Sequence, residues 1–446
     1  MKRRMKRGAH ERGVAVLVVL VVIAIGALAG TVALLAARSA GEAASASAGR
    51  LQSRLTMRSG VLAVEQMAIE QRQDVLGGAD LDVEDPIELF ERGNQTGLFR
   101  LDATITPDPV SLDALLDINT CTAAMLARLP GMDETLGAAV AAALPVSSLR
   151  ALLDVEGLTV EQVYGEYDQD GRLVSDVPPL ASLLTVGSAD PAVAIGVGGA
   201  TPLAERVDVS RAYEEAMGDR LREALGEQQG ASQLIAVLER RDAPPASLAE
   251  VARALRGQMT LATSGQVLDA VCIGEAPARG RVDINRAPVE VLAALPGLDQ
   301  EKAQRIVDAR RSLDEEALRD PLWPLREGVV DEGSMLEVLD RVTTRSVRWV
   351  LRAEAGVAVV RERSVGIDSL EDAQRVRAGM ASAEEDRLRE RVAMDLLVDF
   401  SSGRPVVVPL GEVSIAGELA AVARTLAEAD GWAELPGAAR DAGEGP

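Results

Sequence analysis

The feature that most constrains this chain is an uncharged apolar run near its N-terminus. It extends from Val14 to Ala37 and follows the leader "MKRRMKRGAHERG", which holds six Lys or Arg in thirteen residues. As a helix the run spans roughly 36 Å, enough to cross a hydrocarbon core of about 30 Å. Because basic flanks stay cytoplasmic, we expect one membrane helix over 14–37 and export of everything after Arg38. A cleavable secretory signal ending in "RSAGEAASASAGR" is the alternative.

Composition limits the chemistry of the remaining chain. The 446 residues suffice for two or three domains, and a net charge of -22 repels phosphate polymers, so we expect no nucleic-acid partner. The single histidine, His10, lies in the leader, which excludes a His-dependent triad or a His-ligated metal in the body. Cys121 and Cys272 are two unlinked thiols or one disulfide. We expect no enzyme activity and no cofactor.

A segment of the chain occurs twice. "DINTCTAAMLARLPGMDETLGAAV" begins at Asp117, and "DINRAPVEVLAALPGLDQEKAQRI" begins at Asp283. Each copy predicts a short helix, a Pro-Gly turn and a second helix, over 117–144 and 283–310. The residues predicted to build the device are the N-caps Asn119 and Asn285, the turn residues Pro130, Gly131, Pro296 and Gly297, and the buried Leu126, Leu129, Met132, Val140, Leu292, Leu295, Leu298 and Ile306.

This device resembles the helix-hairpin-helix motif, a SAM-like packing unit. The DNA-binding form of that motif has a second glycine two positions after the first, where backbone amides approach a phosphate. Asp133 and Asp299 occupy those positions here, and their charge would repel DNA. We therefore interpret both copies as packing modules. A degraded echo, "RVDVS" over Arg206–Ser210, resembles "RVDIN" over Arg281–Asn285 and also precedes a helical pattern.

The hydrophobic period changes on either side of these helices. Leu98–Ile105 alternates as a strand does, and "SVRWVLRAE" and "VAVVRERSV" predict a hairpin around Gly356, with Val347, Trp349 and Leu351 on one face. The expected fold class is α+β: a small sheet split by a mostly helical insertion over 111–340. The last strands are expected within 341–367, and residues 368–446 form an extension of unknown role.

The segment 38–110 is expected to hold a stem helix and the first part of the sheet domain. Apolar residues recur there at approximate helical spacing and predict that the membrane helix continues as a long amphipathic stem; they are Leu51, Leu55, Val61, Leu62, Met67 and Ile69.

The leader ends in Gly13, directly before the apolar run. This resembles the signal of type IV pilins and type II secretion pseudopilins, which a prepilin peptidase cuts after that glycine, leaving Val14 as the first mature residue. Such proteins usually have Glu at the fifth mature position, whereas this chain has Val18. A carboxylate in the bilayer costs about 2.5 to 3.5 kcal/mol on insertion scales, and a subunit that starts a filament finds no neighbouring amine to offset that cost.

Together, the missing Glu, the split sheet and the inserted helices resemble the K-type minor pseudopilins. That resemblance implies a non-enzymatic subunit at the tip of a pseudopilus in the inner membrane, with its N-terminus cytoplasmic and its body periplasmic. The partners implied are I-type and J-type minor pseudopilins, the major pseudopilin and the prepilin peptidase.

Three alternatives remain open. A membrane-anchored helix-hairpin-helix receptor for DNA uptake has the same arrangement of anchor and hairpins. A structural membrane protein without a filament role is the second. The third concerns calcium, which some members of the family bind: Asp168, Asp170 and Asp176 lie around a glycine like part of a calcium loop, without its terminal Glu.

Overall fold

A computed structural model of the chain describes residues 7–93, 95–101, 109–166, 173–195, 203–226, 230–274, 279–359, 388–401 and 404–413. Side chains are not described at 7–16, 18, 359, 389–390 and 411–413. The chain divides into two compact bodies. One body comprises residues 1–56, 90–98 and 355–391, and the other comprises residues 57–89, 99–354 and 392–446.

The described residues contain helices and short strands in the following order. The helices are α1 Arg7–Leu76, α2 Ala123–Leu126, α3 Glu134–Ala143, α4 Val160–Tyr164, α5 Glu215–Leu225, α6 Ala231–Glu239, α7 Leu248–Leu255, α8 Leu261–Ala270, α9 Val289–Ala294, α10 Gln300–Arg310, α11 Glu315–Leu318, α12 Trp323–Arg326 and α13 Glu332–Val338. The strands are β1 Ile87–Arg92, β2 Gln95–Leu101, β3 Val110–Ser111, β4 Leu116–Asp117, β5 Leu184–Thr185, β6 Val207–Asp208, β7 Val271–Cys272, β8 Val282–Asp283, β9 Val342–Thr343, β10 Arg348–Val359, β11 Arg389–Asp399 and β12 Val406–Val413.

The first helix, α1, has 70 residues. Near the N-terminus it is apolar over a length sufficient to cross a membrane. The described large apolar side chains from Leu17 to Leu35, Val18 apart, are exposed. Farther along, a different face is buried, at the helical spacing of Ser53, Met57, Gly60, Val64 and Ala68.

The predicted continuation of the membrane helix into the stem is confirmed, because α1 runs to Leu76, but the leucines of its apolar spacing do not form the buried face. Leu51, Leu55 and Leu62 are 61%, 51% and 59% exposed. The reason is a close approach at Gly60: a Cβ placed there would lie 2.0 Å from Cδ2 of Phe99 on β2. Small side chains bring the helix close to the strand, and the leucines lie on the opposite face.

The main sheet has the order β1-β2-β10-β11-β12, with β3 pairing antiparallel to β10 through Ser111 and Trp349. The predicted hairpin at Gly356 is wrong, because β10 continues through that glycine to Val359. Val347, Trp349 and Leu351 are buried.

The proposed extension, 368–446, contributes two strands of this sheet. β11 and β12 pair antiparallel over Ala393–Asp399 and Val406–Val413, with an irregularity between Asp395 and Leu396. The boundary drawn at residue 368 therefore cuts through the set of strands that form the sheet.

Between β3 and β10 the chain forms three similar units, each closed by a short parallel ladder. The ladders pair β4 with β5, β6 with β7, and β8 with β9. Helices fill each unit, so the degraded echo at Arg206–Ser210 opens a real structural repeat. One apolar cluster runs through all three units and includes the fully buried Trp323.

An aspartate closes each unit; it is buried in the first and third units and partly exposed in the second. Asp117, Asp208 and Asp283 each accept the amide of the second residue onward, at 3.1, 2.9 and 2.9 Å. Each also accepts from the segment that leaves the unit: the hydroxyl of Ser188, the amide of Gly274 and the hydroxyl of Ser346, respectively. One side chain thus joins the first strand of a unit to its exit.

Candidate functional site

The two helix-hairpin-helix copies are formed by α2 with α3 and by α9 with α10. The turn residues Gly131 and Gly297 have φ of +75° and +77°, a left-handed conformation that strains residues with a Cβ. Pro130 and Pro296 precede them and are partly buried. Of the apolar side chains expected to pack, Met132 is partly exposed; the others, Leu126, Leu129, Val140, Leu292, Leu295, Leu298 and Ile306, are buried.

Asp133 and Asp299 cap the second helix of each hairpin. The carboxylate of Asp133 accepts the amide of Leu136 at 2.8 Å, and that of Asp299 accepts the amide of Lys302 at 2.8 Å. Where a DNA-binding hairpin has a glycine, this chain has an acceptor that occupies the first free amides of the helix.

The predicted helix caps Asn119 and Asn285 are wrong. Thr122 and Pro288 precede the first helices, which begin several residues after each asparagine. Asn119 instead exchanges two hydrogen bonds with the backbone of Val146, at 2.9 and 2.8 Å.

Asn285 makes long-range contacts of the same kind. Its amide donates to the carbonyls of Leu318 and Thr344, and its oxygen accepts the indole N–H of Trp323 at 2.9 Å. Both asparagines are partly buried, and each uses its amide group to satisfy backbone groups of distant segments.

The hairpins are bound to other parts of the protein at their turns. Arg128 of the first hairpin donates to the carbonyls of Leu295 and Leu298 in the second turn, at 3.0 and 3.4 Å. Lys302 donates to Ser334 on α13 at 2.8 Å and to the carbonyl of Gly297 at 3.3 Å. These turn groups are engaged in packing, which is the arrangement expected of a structural module.

A buried ion-pair cluster, which the sequence analysis did not predict, lies where the three units meet. Arg206 and Arg281 both pair with Asp190, the latter at 2.8 Å. Arg206 and Arg345 both pair with Asp269. Burial alone would raise the pKa of Asp190, but the two guanidinium charges hold it below its usual value. Arginine opens both "RVD" strings, as Arg206 and Arg281, but that repetition by itself does not distinguish a buried arginine from a solvated one.

Asp113 ties together both ends of the insertion. One carboxylate oxygen accepts the amide of Ala189 at 2.8 Å, and the other accepts the amides of Val347 and Arg348 at 2.7 and 2.9 Å. Complete burial raises the pKa of Asp113 to about 7 despite these donors. Where the chain leaves the sheet and where it returns, the two segments are therefore joined through one carboxylate.

A cleft of about 560 Å³ lies between α8 and the segment 314–326. Asp320 lines it, and burial raises the pKa of that carboxyl to about 6. Its oxygens accept from the amide of Leu322 and from Arg326, at 2.9 and 2.6 Å. The described lining holds no Ser, Cys or His, so it offers no nucleophile with a base beside it.

The predicted cleavage residues Gly13 and Val14 lie on the backbone of α1, and their side-chain surroundings, like those of Val18, are outside the described residues. Asp168 and Asp170 also lie outside them, and Asp176 is exposed. The part of the chain that the structure describes shows no group of three metal-binding side chains. Cys121 and Cys272 are both buried free thiols.

These features define a chain with one long, partly apolar N-terminal helix and an α+β body whose sheet is interrupted by a helical insertion. No family model and no curated protein matches the sequence. Among solved structures, the chain is similar to a chain of the GspK-GspI-GspJ complex of the enterotoxigenic Escherichia coli type 2 secretion system, with 11% identity. The match covers 82% of this chain and 99% of that one, with a TM-score of 0.28, which does not establish a common fold.

Proposed function

We propose that this chain is a minor pseudopilin of the K type, a non-enzymatic subunit of a type II secretion pseudopilus. The observation that carries the proposal is the way one sheet is split. β3 leaves the sheet into the helical insertion, and β10 returns to pair with it, with Ser111 opposite Trp349. Joined to a single long helix with an exposed apolar start, this is the architecture expected of such a subunit.

We place the subunit at the tip of the pseudopilus. Side-by-side packing of many subunits along a shaft leaves little room for a helical insertion as large as 111–340. Val18 also supplies no carboxylate to meet the amine of a neighbour, which a shaft subunit needs and a leading subunit does not. At the tip, the chain would nucleate assembly with I-type and J-type partners above the major pseudopilin and support export across the outer membrane.

The topology belongs to the same proposal. The basic leader stays in the cytoplasm, the apolar part of α1 crosses the inner membrane once, and the body lies in the periplasm. Partner helices would contact the membrane segment, and the prepilin peptidase would remove the leader. Calcium at Asp168, Asp170 and Asp176 remains a secondary proposal on sequence grounds alone.

Mass spectrometry of the mature N-terminus tests the assignment. We expect the chain isolated from cells with an active prepilin peptidase to begin at Val14, with a methylated amine. Gly13→Asp should leave the leader attached, whereas the matched change Gly8→Asp, in the same leader, should be processed normally. An intact leader on the native chain in such cells would contradict the proposal.

A further inference from the structure

At the C-terminal end of α1, backbone carbonyls that have no partner within the helix accept hydrogen bonds from the residues that follow it. Gly77 donates to Gln73, Gly78 to Val75 and Ala79 to Asp74, at 2.9, 3.0 and 3.0 Å. Gly78 has φ of +105°, so these bonds form the left-handed termination common at helix ends. The carbonyls of Leu76 and Gly78 are left for partners from elsewhere in the chain.

Two arginines supply those partners. Arg345, fully buried, donates to the carbonyl of Leu76 at 2.9 Å and pairs with Asp269 in the ion cluster of the insertion. Arg286 donates to the carbonyl of Gly78 at 2.8 Å. Both put positive charge at the negative end of the helix dipole.

Arg286 is held on every side. It pairs with Asp283, the aspartate that closes the third unit, at 2.7 Å and with Asp80 at 2.6 Å. Its guanidinium lies 5.2 Å from the ring centre of Trp349 on β10. Because two carboxylates and an aromatic ring already fix its planar guanidinium, Arg286 loses little conformational entropy when it also donates a hydrogen bond to the carbonyl of Gly78.

The two repeated devices differ at this position. Arg286 follows "DIN" in the second copy, whereas Thr120 follows it in the first and donates to its own Asp117 carbonyl at 3.0 Å. Among the described residues, the copy that hydrogen-bonds to the end of α1 is the one that carries the arginine. This difference gives the second copy a role that the first lacks.

We propose that Arg286 and Arg345 form a clamp on the end of α1 that holds the helical insertion rigidly to the stem, Met57–Leu76. A displacement of the stem along its axis then also moves the junction of the three units, because Arg345 binds the end of the stem and pairs there with Asp269. The use of this coupling to carry the force of filament growth rests on the proposed function, whereas the clamp itself does not.

Pulsed electron spin resonance on the full chain in detergent micelles tests the clamp. Spin labels at Gln66→Cys on the stem and Glu301→Cys on α10 report the distance between stem and insertion, and the unsubstituted chain controls for labelling of native thiols. We expect one narrow distance distribution for the native residues and a broad one for Arg286→Thr, the residue of the first copy.

The matched control is Arg310→Gln. Arg310 also donates to two backbone carbonyls of the third unit, those of Ile284 and Ala287, and within the described residues it makes no hydrogen bond or ion pair with the stem. Hydrogen exchange should separate the two variants further: the amides of Gly78 and Ala79 should exchange about ten- to a hundredfold faster in Arg286→Thr and at the native rate in Arg310→Gln.

A second test leaves both arginines unsubstituted. Gly78→Ala strains the left-handed termination and should also broaden the distribution, whereas Gly93→Ala, at φ of +64° with nothing near its Cβ, should not. A distribution as narrow as the native one in Arg286→Thr, or equal broadening in Arg310→Gln, would overturn the clamp. Leader processing is measured separately, so failure of the clamp and failure of the pseudopilin assignment are distinguishable.

Discussion

Gly60→Ala should loosen the stem at its contact with the sheet. The new Cβ would lie 2.0 Å from Cδ2 and 2.4 Å from Cγ of Phe99, whose side chain is fully buried. The ring or the helix must move, and overpacking of this kind costs typically about 1–3 kcal/mol. Alanine in place of glycine inside a helix returns up to about 1 kcal/mol. With the full helix gain, we therefore expect a net loss of about 0–2 kcal/mol, which is about 1–3 kcal/mol less stable than an alanine on the same helix that meets no neighbour.

Gly41→Ala is the matched control on the same helix. Nothing lies within 4 Å of a Cβ at that position, so only the helix-propensity gain remains and the variant should be unchanged or more stable. Urea unfolding of the full chain in micelles, followed by tryptophan fluorescence, measures both. Phe99→Leu should recover part of the loss in a double-mutant cycle, because the two residues touch. Gly60→Ala as stable as Gly41→Ala would refute the close approach.

Two further predictions concern carboxylates. Because burial raises the pKa of Asp113 from 3.8 to about 7, the folded chain keeps a proton that the unfolded chain releases, and its stability falls as the pH rises from about 4 to about 7. Relative to Asp113→Asn, the native chain should lose up to about 4 kcal/mol across that window in unfolding titrations, and a difference independent of pH would contradict the burial argument. Asp299→Ala removes the cap of α10 and should cost about 0.5–2 kcal/mol, whereas the exposed Asp308→Ala on the same helix should cost less than about 0.5 kcal/mol by thermal unfolding.

Local patterns in the chain were enough for the apolar helix and for the hairpins. In a bilayer, an uncharged run of this length must satisfy its backbone hydrogen bonds within itself. Hydropathy alone therefore predicts that the apolar part of α1 is a helix. The turn at Gly131 and its copy at Gly297 follow from a Pro-Gly pair between two helical periods, and both glycines have positive φ.

Sequence spacing was misleading in two places: the choice of the buried face of the stem, and the choice between a turn and a continuous strand at Gly356. The stem has leucines on one side and small residues on the other, and hydropathy favours burial of the leucines. The sheet contacts the side with Gly60, because close approach to Phe99 excludes larger residues. At Gly356, a glycine between two alternating runs suggests a turn, but the strand continues through it, in a sheet where β10 lies between β2 and β11.

The ion-pair cluster and the clamp arise from residues far apart in the chain. Arg345 and Leu76 are separated by 269 positions, and Arg206 and Asp269 by 63. In the sequence these charges are indistinguishable from solvated ones, since the cost of burying a charge and the partner that offsets it are both set by packing. Hydrophobic period and turn chemistry, which act between near neighbours, specify the helices and hairpins; the choice of buried face, strand partners and paired charges requires the folded chain, because those interactions exist only when distant residues meet.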